Sequence, residues 1–373
     1  MSTIKNNNIL LKKQFFMNLA LLQARKALGN TGINPSVGCV ITNNTNVISL
    51  GKTSFTGRPH AEYNAIHSKK LNYKKKNLFV TLEPCVHYGF TPPCVNTIIK
   101  SNIKKVYFSI YDLDSRTKKK CKKILEKKNV FANSGILENK VKKFYSYYKK
   151  NILKKLPYVT CKIASSNDYF IKNIVRKNIT NDFSQKVSHL LRYQNNGILI
   201  SYNTLVDDDP LLNCRNIGLE KYSPTRFILD KTLKIPLKSK IIKSSKKYKT
   251  IIIYNKGSNN KIKMLKLRKI KLIQLQLNKK NQFNLINVFS IIYKNKISRI
   301  LIEGGKKLTQ SLLKNNLIDE FFWFKSNIPI KQNGKINIRN LISKIDDKKI
   351  SKKIIKTNLH GDKLYHYYLK TYV

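Results

Sequence analysis

The stretch TLEPCVHYGFTPPC, residues 81–94, carries two cysteines between a predicted strand at 78–82 and a predicted helix at 92–101. The two prolines before Cys94 are typical of the first turn of a helix, where free N–H groups favour a thiolate. Upstream, His60-Ala61-Glu62 opens another predicted helix at 60–68. Together these motifs suggest a site built from one imidazole and two sulfurs.

One imidazole and two thiolates form a three-ligand set for zinc, and a catalytic zinc site of this kind keeps its fourth position for water. The pKa of such a water falls to about 7. Glu62 lies two residues from His60, where its carboxylate can face the water and move a proton to a leaving amine. This His-x-Glu and Pro-Cys pattern is typical of zinc deaminases that act on bases. The alternative is that Cys85 and Cys94 are ordinary buried thiols and that His60 caps a helix.

Apolar spacing divides the chain into two α/β domains. The first, residues 1–150, is a predicted three-layer domain with helices at 13–28, 60–68, 92–101 and 118–128 and strands at 37–42, 47–50, 78–82 and 105–110. A lysine-rich joint at 149–157 marks the boundary. In the second domain, 151–373, strands are predicted at 158–164, 197–201, 226–229, 250–254, 271–274 and 299–302, with helical stretches between them. The segments 256–262 and 331–352 are polar and lysine-rich and show little pattern.

The charge is extreme but dispersed. The 373 residues include 74 Lys+Arg and 19 Asp+Glu, which gives a formal net charge of +55. The lysines are scattered beside abundant Ile and Asn, which indicates compositional drift rather than the clustered basic footprint of a nucleic-acid-binding protein. No stretch approaches the roughly 20 apolar residues of a membrane helix. Six cysteines in a chain of this length suggest thiols or metal ligands, and we expect a cytoplasmic protein without a specific nucleic-acid partner.

Two features distinguish the second domain. Asp207-Asp208-Asp209 precedes Pro210-Leu211-Leu212, and Ile302-Glu303-Gly304-Gly305 ends a buried-type strand before a predicted helix. A glycine turn at this position lets backbone N–H groups approach a phosphate. The spacing is not that of a Rossmann dinucleotide motif. A solvated acidic turn and a glycine turn needed only for packing remain the alternatives.

The motifs carry a resemblance to a known family. NPSVGCV at 34–40, GRPHAEYNA at 57–65 and the stretch at 81–94 resemble the deaminase half of the bifunctional riboflavin-biosynthesis deaminase/reductase family. TLVDDDPLL at 204–212, IEGG at 302–305 and LIDE at 317–320 resemble its reductase half. The resemblance implies a cytidine-deaminase-like zinc domain followed by a dihydrofolate-reductase-like domain that uses NADPH. The sequence departs from the family pattern at 112–115, 167–170, 178 and 196–197.

The resemblance also implies roles for individual residues. One zinc ion per chain is expected on His60, Cys85 and Cys94, with Glu62 as the catalytic proton shuttle and Asn34 near the base. NADPH-binding residues are expected at Ala164, Asn178, Thr204, Asp208, Gly305, Lys306, Lys307, Leu308, Thr309, Gln310 and Ser311. Substrate-binding residues are expected at Arg176, Arg192, Leu212, Arg215 and Glu303, with Lys162 beside the reacting carbon. Arg192 and Arg215 suit the substrate phosphate, because a planar guanidinium fork matches phosphate oxygens.

The resulting hypothesis is an enzyme with two activities on one small pyrimidine ribonucleotide. The first is hydrolytic deamination of 2,5-diamino-6-(5-phosphoribosylamino)pyrimidin-4(3H)-one, and the second is NADPH-dependent reduction of its ribosyl group to ribityl. The resemblance suggests a homo-oligomer. The alternatives are a deaminase with a partly degraded reductase half, a nucleic-acid base deaminase, and a non-catalytic protein that binds polyanions.

Overall fold

A computed structural model describes residues 2–43, 45–69, 71–175 and 178–370 of the chain. The described residues form two compact units, and the division lies between Lys154 and Lys155. The sequence places the domain boundary near residue 150, within the last helix of the first unit. No helix among the described ranges combines the length and apolar character needed to cross a membrane.

The first unit is a five-stranded sheet with helices. Its elements are α1 (Ser2–Ala27), β1 (Gly38–Thr42), β2 (Val47–Lys52), a 3-10 turn (Phe55–Gly57), α2 (Ala61–His67), β3 (Asn77–Leu82), α3 (Cys94–Lys100), β4 (Lys105–Ile110), α4 (Cys121–Glu126), β5 (Phe131–Ser134), α5 (Glu138–Phe144) and α6 (Ser146–Lys154). The strand order is β2-β1-β3-β4-β5. Strand β1 is antiparallel to β2 and β3, whereas β3, β4 and β5 are parallel.

Two glycines show how helices cover both faces of this sheet. A Cβ on Gly38 would collide with the carbonyl of Ala20 in α1, and a Cβ on Gly51 would collide with the carbonyl of Ala61 in α2. Gly51 pairs with Cys39, the neighbour of Gly38, so the two glycines face opposite sides of the pleat. Helices α1 and α2 therefore pack on opposite faces, which confirms the three-layer prediction. The close approach of α2 to β2 fixes the helix on which Glu62 lies.

Apolar periodicity explains most of these elements. Helix α1 buries Phe16, Met17, Ala20, Leu21 and Ala24 at spacings of three and four residues, as predicted for 13–28, although the helix begins earlier, at Ser2. The helix predicted at 118–128 is shorter, because Lys119 has a left-handed backbone (φ 61) and α4 begins only at Cys121. The sequence did not predict β5, α5 or α6.

The second unit contains a nine-stranded sheet and a two-stranded ribbon. Its elements are β6 (Tyr158–Ser165), β7 (Phe170–Asn173), α7 (Asp182–Tyr193), β8 (Gly197–Ser201), α8 (Tyr202–Asp208), a 3-10 turn (Glu220–Tyr222), β9 (Thr225–Leu229), α9 (Lys240–Lys243), β10 (Thr250–Tyr254), α10 (Asn259–Leu267), β11 (Lys271–Gln274), α11 (Leu285–Lys294), β12 (Arg299–Ile302), α12 (Lys306–Lys314), β13 (Glu320–Lys325), a 3-10 turn (Lys331–Asn333), β14 (Gly334–Asn337), α13 (Arg339–Lys348), β15 (Ser351–Ile354) and β16 (Lys363–Tyr368).

The large sheet has the order β11-β10-β9-β8-β12-β6-β13-β16-β15, and the strands from β11 to β13 are parallel. One apolar cluster joins the sheet to α7, α8, α9 and α10, and another joins it to α11, α12 and α13. Helices thus cover both faces, and central strands such as β12, Arg299–Ile302, are buried along their whole length. The six strands predicted in this domain are present.

The polar, lysine-rich segment at 331–352 showed little pattern in the sequence, but it is structured. This segment forms β14 and α13, and β14 pairs with β7 in the ribbon. Leu341, Ile342 and Ile345 of α13 are buried at helical spacing. Lysine-rich flanks lowered the average hydropathy of the segment and concealed this narrow apolar stripe.

Candidate active sites

The metal-binding set is assembled from three chain segments of the first unit. His60 caps the N-terminus of α2 with an extended backbone, Cys85 follows β3, and Cys94 is the first residue of α3 after Pro93. The ligand atoms of His60, Cys85 and Cys94 lie within 4.8 Å of one another. The Cys94 sulfur and the His60 Nδ1 are 3.3 Å apart, and the Cys85 sulfur and the same nitrogen are 3.6 Å apart.

These separations fit zinc. Two ligand atoms on neighbouring corners of a tetrahedron with bonds of about 2.0–2.3 Å are roughly 3.5 Å apart. The backbone N–H of Cys94 donates to the Cys85 sulfur at 3.3 Å. Hydrogen bonds from Cys94 and His60 lower the pKa of the Cys85 thiol to about 4, so this sulfur is a thiolate at neutral pH. Imidazole with soft sulfur donors is a preferred ligand set of zinc.

Glu62 lies in the first turn of α2 beside this set and is 4% exposed. Burial raises the pKa of its carboxyl to about 7, while the charge of His60 opposes the shift. A carboxyl group that titrates near neutral pH can both accept and donate a proton. The site therefore combines three side chains that could hold a metal ion with a buried carboxyl group outside that set.

Glu83 supports the site, although the sequence analysis did not assign it a role. Its carboxylate accepts hydrogen bonds from the backbone N–H groups of Asp112, Lys119 and Cys121 at 3.0–3.1 Å. The end of β3, two residues before Cys85, is thereby tied to the segment that follows β4. The signal in the sequence was an acid placed between the apolar strand 78–82 and Pro84-Cys85.

Asn34 contacts Gly57, which lies three residues before His60. Its side-chain amide donates to the carbonyl oxygen of Gly57 at 3.4 Å, and Gly57 has a positive φ of 100 with no room for a Cβ beside Asn34. His67 is on the exposed surface of α2, and the ring of His87 is 3.0 Å from the Thr117 hydroxyl in a loop. The two histidines are thus a helix-surface and a loop residue.

A cavity of about 650 Å³ lies in the second unit at the carboxyl ends of β6, β8 and β12. Ligand sites in parallel sheets occur at this edge, where loops follow the strands. Nine residues predicted to bind cofactor or substrate line it: Lys162, Ala164, Asn178, Arg192, Thr204, Asp208, Arg215, Glu303 and Gly305. The structure thus gathers residues from six separate places in the chain around one space.

An ion pair at the wall of this cavity joins α7 to the end of β12. The Nε and Nη2 atoms of Arg192 donate to the two carboxylate oxygens of Glu303 at 2.8 and 2.9 Å, and Nη1 donates to the carbonyl of Asn213 at 2.9 Å. Burial opposes ionisation of Glu303, but Arg192 and then Lys162 outweigh it and lower its pKa to about 2. Burial lowers the pKa of the Lys162 ammonium. Glu303 is therefore a fixed negative charge paired with Arg192.

Several predicted residues lie outside the cavity lining. The side chain of Leu212 is 2% exposed within an apolar cluster, and its neighbour Leu211 lines the cavity instead. Of the turn Gly305 to Ser311, Gly305 lines the cavity, while the Lys306 ammonium donates to the carbonyl of Asn337 and Thr309 is buried. Arg176 lies outside the described residues.

Two basic residues near this cavity, His189 and Arg226, had no distinctive pattern in the sequence. Burial, followed by the charges of Arg192 and Arg215, lowers the pKa of His189 to about 4, so this lining residue is neutral at pH 7. Arg226 is fully buried and donates to the carbonyls of Leu211, Ile241 and Tyr248. It therefore fixes the loop on which Leu211 lines the cavity. A single arginine in an apolar strand gave no signal of this role.

Asp168 occupies a stretch where the sequence departs from the family pattern, and it organises the ribbon beside the cavity. Its carboxylate accepts hydrogen bonds from the backbone of Ile330 and Lys331 and from the Ser166 hydroxyl. The ribbon contributes Ile171 and Ile336 to the cavity lining. The departure at 167–170 therefore retains an acid that orders a wall of the cavity.

Both units match known protein families. Residues 11–110 match the cytidine and deoxycytidylate deaminase zinc-binding region, and residues 157–326 match the RibD C-terminal domain. The first match contains the three metal ligands and Glu62. The second contains the residues that line the cavity, apart from Ile336.

Relatives extend the similarity across both units. The riboflavin biosynthesis protein RibD of Aquifex aeolicus is 33% identical over 311 residues, which cover 83% of this chain and 85% of that protein. RibD of Buchnera aphidicola is 31% identical, with 83% and 86% covered. The Acinetobacter baumannii RibD structure superposes with a TM-score of 0.79 at 25% identity, covering 96% of this chain and 99% of that one. A Thermotoga maritima deaminase/reductase superposes with a TM-score of 0.76 at 25% identity and the same coverage. The chain belongs to the RibD family of riboflavin-biosynthesis enzymes, in which a zinc-dependent deaminase domain and an NADPH-dependent reductase domain share one polypeptide.

Proposed function

We propose that the first unit deaminates 2,5-diamino-6-(5-phosphoribosylamino)pyrimidin-4(3H)-one and that the second unit reduces the ribosyl group of the resulting uracil derivative to ribityl. The Thermotoga maritima relative carries both activities in its description, as a diaminohydroxyphosphoribosylaminopyrimidine deaminase and 5-amino-6-(5-phosphoribosylamino)uracil reductase. The observation that carries the proposal is the presence of two complete sets of chemistry in one chain. These are the buried Glu62 beside three metal ligands, and the cavity around Glu303.

In the deamination, His60, Cys85 and Cys94 hold zinc, which when bound lowers the pKa of a water molecule and supplies a nucleophile at neutral pH. Glu62 takes a proton from the attacking water and delivers it to the amino group. The C–O bond forms at C2 of the pyrimidine, the C–N bond breaks, and ammonia leaves. The pKa of about 7 suits a group that must accept and then release the same proton.

In the reduction, NADPH when bound supplies the hydride, which adds to C1′ of the opened imine form while the imine nitrogen takes a proton. We assign NADPH to the side of the cavity formed by Ala164, Asn178, Thr204, Asp208 and Gly305. The fixed negative charge of Glu303, with Lys162 beside it, orients the substrate near C1′. Arg215 remains the residue for the substrate phosphate, because three nitrogens of Arg192 already donate to Glu303 and Asn213.

Replacing Glu62 tests the assignment of separate sites. A Glu62→Gln variant keeps the shape of the side chain but cannot move a proton, so we expect ammonia release to fall at least about 100-fold. NADPH oxidation with the deaminated intermediate should continue at the wild-type rate. Glu138→Gln, on the exposed face of α5, is the matched control and should affect neither reaction. Loss of both activities in Glu62→Gln would contradict the two-site proposal.

The main hypothesis is favoured over the alternatives from the sequence. A nucleic-acid deaminase or a polyanion-binding protein would not need the ion pair and cavity of the second unit. Relatives that match both units disfavour a deaminase with a partly degraded reductase half. We further propose a cytoplasmic homo-oligomer with a small-molecule substrate, as the resemblance suggests. Sedimentation of the purified chain tests the assembly, and a monomer at micromolar concentration would contradict it.

A further inference from the structure

Three tyrosines near the end of the first unit reach loops that border the metal site. Tyr145, Tyr147 and Tyr148, here called the tyrosine cluster, lie at the junction of α5 and α6 and are 2–4% exposed. The segments that they contact lie far away in the sequence, around residues 36, 81 and 112. No metal ligand or predicted site residue belongs to α5 or α6.

The hydroxyl of Tyr145 occupies the middle of a hydrogen-bond chain whose directions are fixed. It donates its one proton to the carbonyl oxygen of Ser36 at 2.9 Å. It must therefore accept from the Thr81 hydroxyl, which is 2.7 Å away. The Thr81 oxygen in turn accepts from the N–H of Gly38 at 3.2 Å. Each hydroxyl thus donates once and accepts once, and hydrogen bonds in such a chain strengthen one another.

Tyr147 completes the attachment of the same segment. Its hydroxyl oxygen accepts from the N–H of Ser36 at 2.7 Å. Ser36 is 0% exposed, so two tyrosine hydroxyls serve its backbone N–H and C=O in place of a neighbouring strand. Asn34, assigned near the base, is two residues away. The tyrosine cluster therefore fixes the chain between Asn34 and the start of β1.

Tyr148 fixes a second loop at the same site. Its hydroxyl donates to Oδ1 of Asp112 at 3.0 Å, and Asp112 is 7% exposed at the end of β4. The N–H of Asp112 donates to Glu83, two residues before Cys85. The loop after β4 is thus held from one side by the strand that leads to the metal ligand and from the other by α6.

We infer that Tyr145, Tyr147 and Tyr148 are positioning residues of the deaminase, which hold the base-binding segment at 34–36 and the loop at 112 in register with the metal ligands. This inference rests on the proposed function. The cluster acts through Asn34 and Asp112, and it lies on a part of the chain that carries no ligand. Its removal should therefore weaken substrate binding and leave the metal site intact.

The experiment is removal of single hydroxyls. In Tyr145→Phe, the Ser36 carbonyl loses its donor and the Thr81 hydroxyl loses its acceptor inside the protein. Because the group left unpaired is buried, we expect the KM of deamination to rise roughly tenfold, with kcat within threefold of wild type. Zinc content should stay at one ion per chain, and NADPH oxidation with the deaminated intermediate should not change.

Tyr107→Phe is the matched control, because Tyr107 is also buried in this unit but stacks on Phe79 in the cluster under α1. Tyr147→Phe removes the acceptor of the Ser36 N–H and provides a second test if Tyr145→Phe does not fold. An unchanged KM in the folded variants, loss of zinc together with activity, or an equal rise of KM in the control would each overturn the inference. Failure of the wild-type chain to release ammonia from the diaminopyrimidine nucleotide would instead refute the proposed function.

Discussion

At the scale of single residues, the pairing of Arg192 with Glu303 changes the role that the sequence suggested for the arginine. Scarce arginines in a lysine-rich chain pointed to phosphate binding, and both Arg192 and Arg215 were assigned to it. In the structure, the guanidinium fork of Arg192 matches the two oxygens of Glu303, and both side chains are only 12% exposed. Such a bidentate pair fixes the orientation of the carboxylate toward the cavity.

Arg192→Lys should show whether the reductase needs only the positive charge at this position or also the two parallel hydrogen bonds to Glu303. The lysine keeps the positive charge but cannot form two parallel hydrogen bonds, so we expect reductase kcat/KM to fall at least about tenfold. Deamination, in the other unit, should be unaffected. Arg268→Lys is the matched control, since its Nη1 donates to the Met264 carbonyl within α10. Equal effects of the two substitutions on NADPH oxidation would contradict the assigned role of Arg192.

The residues that the sequence revealed are those with a local pattern. His60, Cys85 and Cys94 have short, distinctive surroundings, and a metal explains all three at once. The tyrosine cluster has no such pattern, because Tyr145 is 109 positions from its partner Ser36 and lies among lysines. Arg226 is a lone arginine in a strand, and its partners become visible only when the loop at 211 and α9 are in position.

At the scale of secondary-structure elements, one buried carboxylate connects four strands of the second unit. Glu320, at the start of β13, accepts hydrogen bonds from Thr160 of β6 and Arg299 of β12, and it contacts the ring nitrogen of His366 in β16 at 3.0 Å. Burial raises the pKa of the Glu320 carboxyl, but His366 and Arg299 outweigh it and lower the pKa to about 2. The ordinary pKa of 4.5 applies once these contacts are lost on unfolding.

A carboxyl group whose pKa is lower in the folded state than in the unfolded state stabilises the fold at pH values above the unfolded-state pKa. This stabilisation is lost as the pH falls through the folded-state pKa. For Glu320 the window runs from about pH 4.5 down to about pH 2, and the contribution is about 3 kcal/mol. In Glu320→Gln, we expect the unfolding free energy to lose most of the pH dependence that Glu320 contributes in this window. Urea titrations followed by Trp323, the single tryptophan, measure it within β13. Exposed Glu220→Gln should behave as wild type, and an unchanged pH slope in Glu320→Gln would refute the expectation.

Elements with strong apolar runs were predictable, and those that depend on distant partners were not. The strand at 299–302 was predictable as a buried strand, because three of its four residues are consecutive large apolar residues. Strand β16, Lys363–Tyr368, mixes lysine, leucine, histidine and tyrosine without a strict alternation, and it becomes a strand through its antiparallel pairing with β13. Helix α13 also depends on distant partners, because its apolar side chains are buried only by packing on α12 and the sheet.

At the scale of the whole molecule, the chain carries two units, each with its own sheet and its own site. This organisation was predictable, because a length of 373 residues and a lysine-rich joint both indicate two cores. The interpretation of the dispersed charge as compositional drift stays a prediction. The positions of the residues inside the second cavity required the fold.

Because the two sites are separate, we expect two variants, each inactive at one site, to complete the two-step reaction when they are mixed. Neither Glu62→Gln nor Glu303→Gln alone should convert the diaminopyrimidine nucleotide to its ribitylamino product. An equimolar mixture should do so at up to about half the wild-type rate, because the deaminated nucleotide can diffuse between chains. Product analysis by chromatography measures it, with metal chelation as a control that stops ammonia release but spares NADPH oxidation. No product from the mixture would mean that the intermediate is not released.

The location of the tyrosine cluster has a practical consequence for excising the deaminase as an independent protein. The region of similarity to zinc-binding deaminases ends at residue 110, yet Tyr145, Tyr147 and Tyr148 lie 35 or more positions later. A fragment trimmed to the similar region would keep His60, Cys85 and Cys94 and lose the tyrosine hydroxyls that pair with the backbone of Ser36. The shortest useful fragment therefore extends through Lys154, the end of α6 and of the first unit.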